Sequence, residues 1–228
     1  MEILISDEIH AACPGFVGAA VEAEVASLPT PPELLREIET ESQRLRASLT
    51  PEDIKRLPAV SATREAYRRC GKDPSRYRPS GEQLIRRVVQ GKALYSIGAL
   101  VDLLNLASLA SGYSIGGFDL DAVDGPRLTL GIGREGEPYE GIGRGPLNIA
   151  GMPVYRDASG GVGTPTSDNQ RTRLTPQTRR LLAIVNGYDG NEAALLATAE
   201  RIRNLLRRYA RSDGGSVRLF RHAAPSAG

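Results

Sequence analysis

The residues best suited to chemistry lie between Ser96 and Asp119, SIGALVDLLNLASLASGYSIGGFD. Asp102 and Asn105 interrupt an apolar run, three positions apart, so they share a helix face. An extended segment, Tyr113 to Phe118, follows, and its Gly116-Gly117 pair lets a ligand or another backbone come close. An amide on a helix face beside a bare strand can build a pocket, whereas in the plainer reading Asp102 and Asn105 only cap or bridge neighbouring loops. A second polar cluster, TPTSDNQRTRLT at Thr164 to Thr175, places Thr166, Ser167, Asp168, Asn169, Arg171 and Thr172 in one loop. These supply donors and acceptors for a polar ligand, and Arg171 or Arg173 suits a phosphate or carboxylate. The same residues also suit an ordered turn made of Asx and Ser/Thr hydrogen bonds.

Several other chemistries are excluded. The two histidines, His10 and His222, lie near opposite ends of the sequence, which disfavours a histidine-based triad at the centre. Neither CxxC nor HExxH occurs and no zinc spacing is visible, so no metal and no cofactor is expected. GIGREG at Gly131 to Gly136 lacks the following helix start that a phosphate-binding glycine loop requires. The net charge of +2 is unevenly distributed: Lys55, Arg56, Arg64, Arg68, Arg69, Lys72, Arg76, Arg78, Arg86 and Arg87 face only Glu65, Asp73 and Glu82 within one segment. That bias fits a polyanion partner, and it equally fits a solvated helix face.

The elements that must position these residues follow from periodicity and punctuation. At 228 residues and 40% hydrophobic content the chain suits one sizeable domain, residues 1–210, with a loose tail over 211–228 rich in Gly, Ser, Pro and Ala. No apolar run is long enough to span a membrane and the start does not read as a signal peptide, so a cytoplasmic chain is expected. Cys13 and Cys70 then read as reduced thiols, with pairing left open. Strands are expected at Ile3–Ile5, Phe16–Val25 and Leu181–Asn186, with hairpin-scale strands across Arg127–Gly163. Helices are expected after a Thr30 cap through Ser48, from a Thr50 cap, over Ser61–Cys70, over Ser80–Gly91 with Ser80 and Gln83 at capping-box spacing, through Ser111, and over Asn191–Tyr209. Helices first and strands later, without regular βαβ alternation, argue for an α+β fold combining helices with antiparallel or mixed sheets.

The order of segments REAYRRCGKDPSRYRPSGEQLIRRVVQG, SIGALVDLLNLASLASGYSIGGFDLDAVDG, SDNQRTRLTPQT and LLAIVNGYD resembles the B3/B4 tRNA-binding and editing domain of the bacterial phenylalanyl-tRNA synthetase β subunit, and more closely its free-standing form. The resemblance implies an α+β domain that binds tRNA and hydrolyses misacylated tRNA, without aminoacylation activity. The family pattern VDVTN falls on Val101 to Asn105, so Asn105 matches a pocket asparagine and Leu104 replaces a threonine. HAFD falls on Gly116 to Asp119, so Gly116 replaces a histidine, and Ala183 stands near a glutamate that recognises the tyrosine hydroxyl. With the resemblance added to the strand and polar loop read above, catalysis is expected from Asn105, Ser167 and Asp168, with a substrate pocket of Leu104, Gly116, Gly117, Thr166, Arg171, Thr172 and Ala183. The bias of the basic segment makes Arg68, Arg69, Arg86 and Arg87 the expected tRNA contacts, and the replaced pocket positions imply a substrate side chain less polar than tyrosine. A non-catalytic RNA or small-ligand module of the same fold is the competing expectation.

Overall fold

The computed structural model describes residues 1–223. The chain runs β1 (Glu2–Ile5), α1 (Asp7–Ala12), β2 (Val17–Glu24), α2 (Pro32–Ser48), α3 (Pro58–Arg69), α4 (Ser80–Val89), α5 (Ala99–Ser111), β3 (Ile115–Asp119), β4 (Arg127–Ile132), β5 (Glu140–Gly141), β6 (Gly145–Pro146), β7 (Pro153–Asp157), β8 (Gly160–Gly163), β9 (Arg180–Gly187), α6 (Glu192–Tyr209) and β10 (Ser216–Arg221). The fold is α+β.

Two four-stranded sheets carry it. One has the order β10-β2-β9-β3 and is antiparallel throughout; the other has the order β1-β4-β7-β8, with only β1 and β4 parallel. The RLLAIVNG sequence of β9 shows why the layers stack as they do. Alternate residues of a strand point to opposite faces. Leu181, Ala183 and Val185 therefore enter a core shared with α2, α4, α5 and α6, while Leu182 and Ile184 enter a second core between the sheets. Helices, sheet and sheet form three layers, and β9 is apolar from Leu181 to Val185 because both its faces are covered there.

Helix α5 lies deep in the helical layer, with Leu100, Leu103, Leu106 and Leu109 almost fully buried. It ends at Gly112, whose φ of 80° is the left-handed conformation that glycine adopts without a Cβ penalty. The chain then turns into β3, at the edge of the first sheet.

Several local expectations are corrected. Thr30 does not cap α2: its hydroxyl donates to Asp102 instead (2.5 Å), and Pro31 occupies the cap position. The Thr50–Asp53 hydrogen bonds form, but they close only a turn into a short 3-10 helix at Ile54–Arg56. Helix α3 begins at Pro58, three residues before Ser61, using proline where the first turn lacks a partner anyway. Ser80 is the first residue inside α4 rather than its cap, and Gln83 donates to the Arg78 carbonyl. The stretch expected to be loose contains β10, which pairs with β2 over its whole length. The remainder of that expectation, residues 224–228, lies outside the described residues.

Much of the basic segment is internally neutralised. Glu82 is fully buried and takes Arg64 at 2.9 Å, Arg86 at 2.8 Å and Arg78 at 3.4 Å. A buried carboxylate is tolerable only with such partners. Lys72 is buried as well, donating to the carbonyls of Asn148 and Ala150, and burial holds its ammonium below the ordinary lysine value. Glu82→Gln, which keeps the shape and removes the charge, leaves three guanidinium groups converging on a neutral side chain. It is expected to cost about 3 kcal/mol of unfolding free energy, the lower end for a buried pair because the arginines remain partly exposed. Denaturant unfolding measures this, and a loss below about 1 kcal/mol would contradict the assignment.

Candidate active site

The cavity of interest, ≈150 Å³, is walled by Ser80 and Leu84 of α4, by Leu104, Asn105 and Ser108 of α5, by Ile115 of β3, and by Thr164, Ser167 and Asp168 of the polar loop. Leu104, Asn105 and Ser108 follow from helical spacing, which stacks residues one turn apart on the same face. Asn105 is half-buried and, among the described residues, its carboxamide has no protein partner. Ser108 is already committed, donating to the Tyr113 carbonyl at 2.5 Å.

The loop from Thr164 to Asp168 is held on every side. The Thr164 hydroxyl accepts from the N–H groups of Thr166 and Ser167 and donates to the Ser167 carbonyl, a hydroxyl-closed turn. Tyr139 donates its hydroxyl to that same carbonyl at 2.7 Å, and the Ser80 N–H donates to Pro165 at 2.7 Å, fixing the loop against the start of α4.

Asp168 is the most unusual group in the wall. Its Oδ2 accepts a hydrogen bond from the Gly117 N–H at 3.0 Å. Its Oδ1 lies so near the strands that a Cβ on Gly116 would sit 3.3 Å from it and one on Gly163 3.0 Å away. The residue as a whole keeps some exposure, yet its carboxyl group is enclosed closely enough that burial raises its pKa to about 7, with the Gly117 N–H opposing the shift.

The expected site residues separate into two groups. Leu104, Asn105, Ser167 and Asp168 converge on the cavity, and Gly117 reaches it through its N–H. The others do not line it. Thr166 is buried, accepting from the Tyr67 hydroxyl and donating to the Tyr77 carbonyl. Arg171 is spent on Asp157 and the Ala122 carbonyl, and Thr172 is buried against the Val162 carbonyl. Ala183 lies opposite Gly117 in the helix-facing core. Gly116 turns its bare face to the Phe118 ring, 2.7 Å from where a Cβ would be, rather than into the cavity. The small residues do not enlarge the pocket either, because the Leu104 and Leu174 side chains fill the space beside Gly117.

Of the expected tRNA contacts, Arg68 and Arg69 share Glu65, at 3.1 and 3.2 Å, and remain more than half exposed. Arg86 belongs to the Glu82 cluster. Arg87 stays outside it, resting 4.3 Å over the Tyr95 ring. Ser80, Ser108 and Thr164 join the cavity unforeseen. Ser80 and Thr164 were visible as polar residues at a helix start and a loop start, but their convergence depends on long-range folding.

The B3/4 domain family model matches residues 62–212. The chain belongs to the B3/4 domain family. No curated protein matches it. A crystal structure of an N-terminal fragment of the phenylalanyl-tRNA synthetase β subunit from Pyrococcus horikoshii is similar at 12% identity and a TM-score of 0.45, covering 95% of this chain and 50% of that one. This B3/4 domain therefore spans about half the length of that fragment.

Two outcomes follow from the site of this B3/4 domain. Gly116→Ala should destabilise it by about 1–3 kcal/mol through overpacking against Phe118, read as a lowered melting temperature; an unchanged melting temperature would contradict the close approach. For Asp168, the folded pKa of about 7 stands above the unfolded carboxyl value of 3.8. A raised pKa contributes stability that is complete below the unfolded value and is lost as pH rises through about 7. Wild-type protein should therefore lose melting temperature between pH 5 and pH 8. Asp168→Asn should flatten that dependence and melt higher than wild type at pH 8. Parallel melting curves for the two across this range would show that Asp168 carries no such penalty.

Proposed function

We propose that this B3/4 domain binds tRNA and hydrolyses the ester joining a wrongly attached amino acid to it, acting in trans. The observation that carries the reading is Asp168, whose carboxyl group titrates near neutrality on the wall of a cavity it shares with Asn105. An aminoacyl ester is already activated, so the demand on the protein is to hold a water and move its proton. In this reading the Asn105 carboxamide holds the water. The Asp168 carboxylate takes a proton from it as its oxygen bonds to the ester carbonyl carbon. The tetrahedral intermediate then collapses, the ribose oxygen leaves, and the protonated Asp168 returns the proton to it. Water is consumed, and free amino acid and tRNA are released. The Gly117 N–H holds the base and is not available as an oxyanion donor. Ser167, at the same wall, is the remaining polar neighbour for the ester.

The amino-acid side chain is taken to be less polar than tyrosine. A buried tyrosine hydroxyl would face Leu104 where the family pattern has a threonine, and an unsatisfied hydroxyl costs about 1–3 kcal/mol. The non-catalytic alternative draws support from the small cavity and from the Ser108 hydroxyl being already bonded.

Deacylation assays over a panel of aminoacyl-tRNAs test the reading. Hydrolysis should rise with pH toward a plateau above about 7, as Asp168 becomes the carboxylate. Asp168→Asn should lower the rate by roughly 10²- to 10⁴-fold. Tyr-tRNA should be a poor substrate; its being the best one would overturn the specificity. If tRNA binds but no ester in the panel is hydrolysed, the domain is a binding module.

A further inference from the structure

The segment joining α4 to α5, Gly91 to Gly98 (GKALYSIG), presents large apolar side chains to solvent: Tyr95 is 72% and Ile97 69% exposed. The segment is firmly anchored between them. The Ser96 hydroxyl and the Ile97 N–H both donate to Asp102, at 2.7 and 3.1 Å, and the Ala99 N–H donates to Leu28 at 2.9 Å. Ser96 thus bonds inward while its two neighbours stand outward. Apolar side chains fixed in exposed positions mark recognition surfaces.

Charge narrows the partner. From Arg86 to Gly98 the chain has Arg86, Arg87 and Lys92 and no carboxylate. Arg86 is consumed by Glu82, whereas Arg87, among the described residues, donates only to the Ala93 carbonyl and lays its guanidinium over Tyr95. An exposed aromatic ring backed by a guanidinium, in a positive segment, suits a nucleic-acid base next to its phosphate.

Position supplies the direction. Ile97 also walls a groove of ≈350 Å³ with Leu28, Pro29, Val101, Leu174 and Pro176. Val101 lies one helical turn from Asn105, about 6 Å along α5. Groove and cavity therefore follow one another along α5, and the Tyr95 platform stands in the segment just ahead of its start.

We propose that Tyr95, backed by Arg87, stacks an unpaired base of a single-stranded RNA end, and that the strand continues over Ile97 toward the Asn105–Asp168 cavity. Lys92 meets its phosphates. This assignment rests on the tRNA reading above.

Fluorescence anisotropy with the full chain and two labelled RNA hairpins, one with a single-stranded 3′ overhang and one blunt, tests it. Wild type should prefer the overhang. Tyr95→Ala should weaken that complex by roughly 5- to 150-fold, the span for one lost stacked base, leaving blunt binding and the melting temperature unchanged. Tyr95→Trp should retain binding. Arg87→Ala should weaken binding too by removing the support beneath the ring, and Lys92→Ala should reduce the salt slope by about one. If the overhang RNA binds and Tyr95→Ala makes no difference, the platform is overturned while the tRNA reading stands. If wild type binds neither hairpin nor tRNA, both fall. If Tyr95→Ala instead abolishes self-association of the chain, the surface is a protein contact and the RNA assignment is wrong.

Discussion

The buried carboxylate of Asp102 ties together the parts of the molecule on which the proposed chemistry depends. It accepts hydrogen bonds from Thr30 ahead of α2, from Ser96 and from the Ile97 backbone ahead of α5. The segment ahead of α2, 72 residues away in sequence, and the segment just ahead of α5 are thereby held at one end of the central helix. A carboxylate removed from water requires such donors, and once they are in place their geometry is strongly specified. The consequences run along α5 in both directions. Toward its start, the bonds set the outward angles of Tyr95 and Ile97. Toward its end, they fix the rotation that aims Asn105 at the polar loop and Leu104 at Gly117.

A second constraint acts where the sheets meet. The Phe118 ring occupies the space that side chains at Gly116 and Gly163 would need, and it is almost fully buried. The same absence of side chains lets the Asp168 carboxyl group settle against the strands and accept the Gly117 N–H. Glycine in β3 therefore serves packing and the placement of one acid together, while adding no room for substrate. A functional group can be lost from such a position and its volume taken by neighbours, so the replaced residues do not simply leave a larger pocket.

How much of this was legible in the sequence depended on the range of each interaction. The strand at Leu181–Asn186, the helix over Asn191–Tyr209 and the end of α5 near Ser111 are local patterns, and they appear as read. The sharing of a face by Asp102 and Asn105 was also local. Their different fates were not, because Asp102 is claimed by Thr30 and Ser96 whereas Asn105 lines the cavity. The charge count misled for the same reason. Arg64, Arg78 and Arg86 look like a cationic surface until Glu82 is seen buried among them, and Arg64 lies 18 residues from that acid. Strand β10 was hidden by its flanks. VRLFR has strand-forming residues, but the Gly, Ser and Pro around it lowered the signal, and only its pairing with β2 specifies it. Thr166, Arg171 and Thr172 belonged to a loop of correct composition, and their consumption by Tyr77, Asp157 and Val162 could be learned only from the fold.

The burial of Asp168 links stability to the chemistry proposed for it. A carboxyl group in water ionises near pH 4 and is then too weak a base to take a proton from water efficiently. Enclosure raises its pKa toward neutrality, which increases its basicity while leaving a useful fraction ionised. The same enclosure makes the ionised form costly to the folded state. Removing the acid while preserving its shape should then release stability even as it removes the base, a conflict characteristic of residues kept for reactivity rather than for packing. Glu82 is the internal contrast. It too is a buried acid, but three arginines surround it, whereas among the described residues the Asp168 carboxylate accepts one hydrogen bond, from the Gly117 backbone N–H. Full compensation suits a residue that holds two helices together, and incomplete compensation suits one that must exchange a proton.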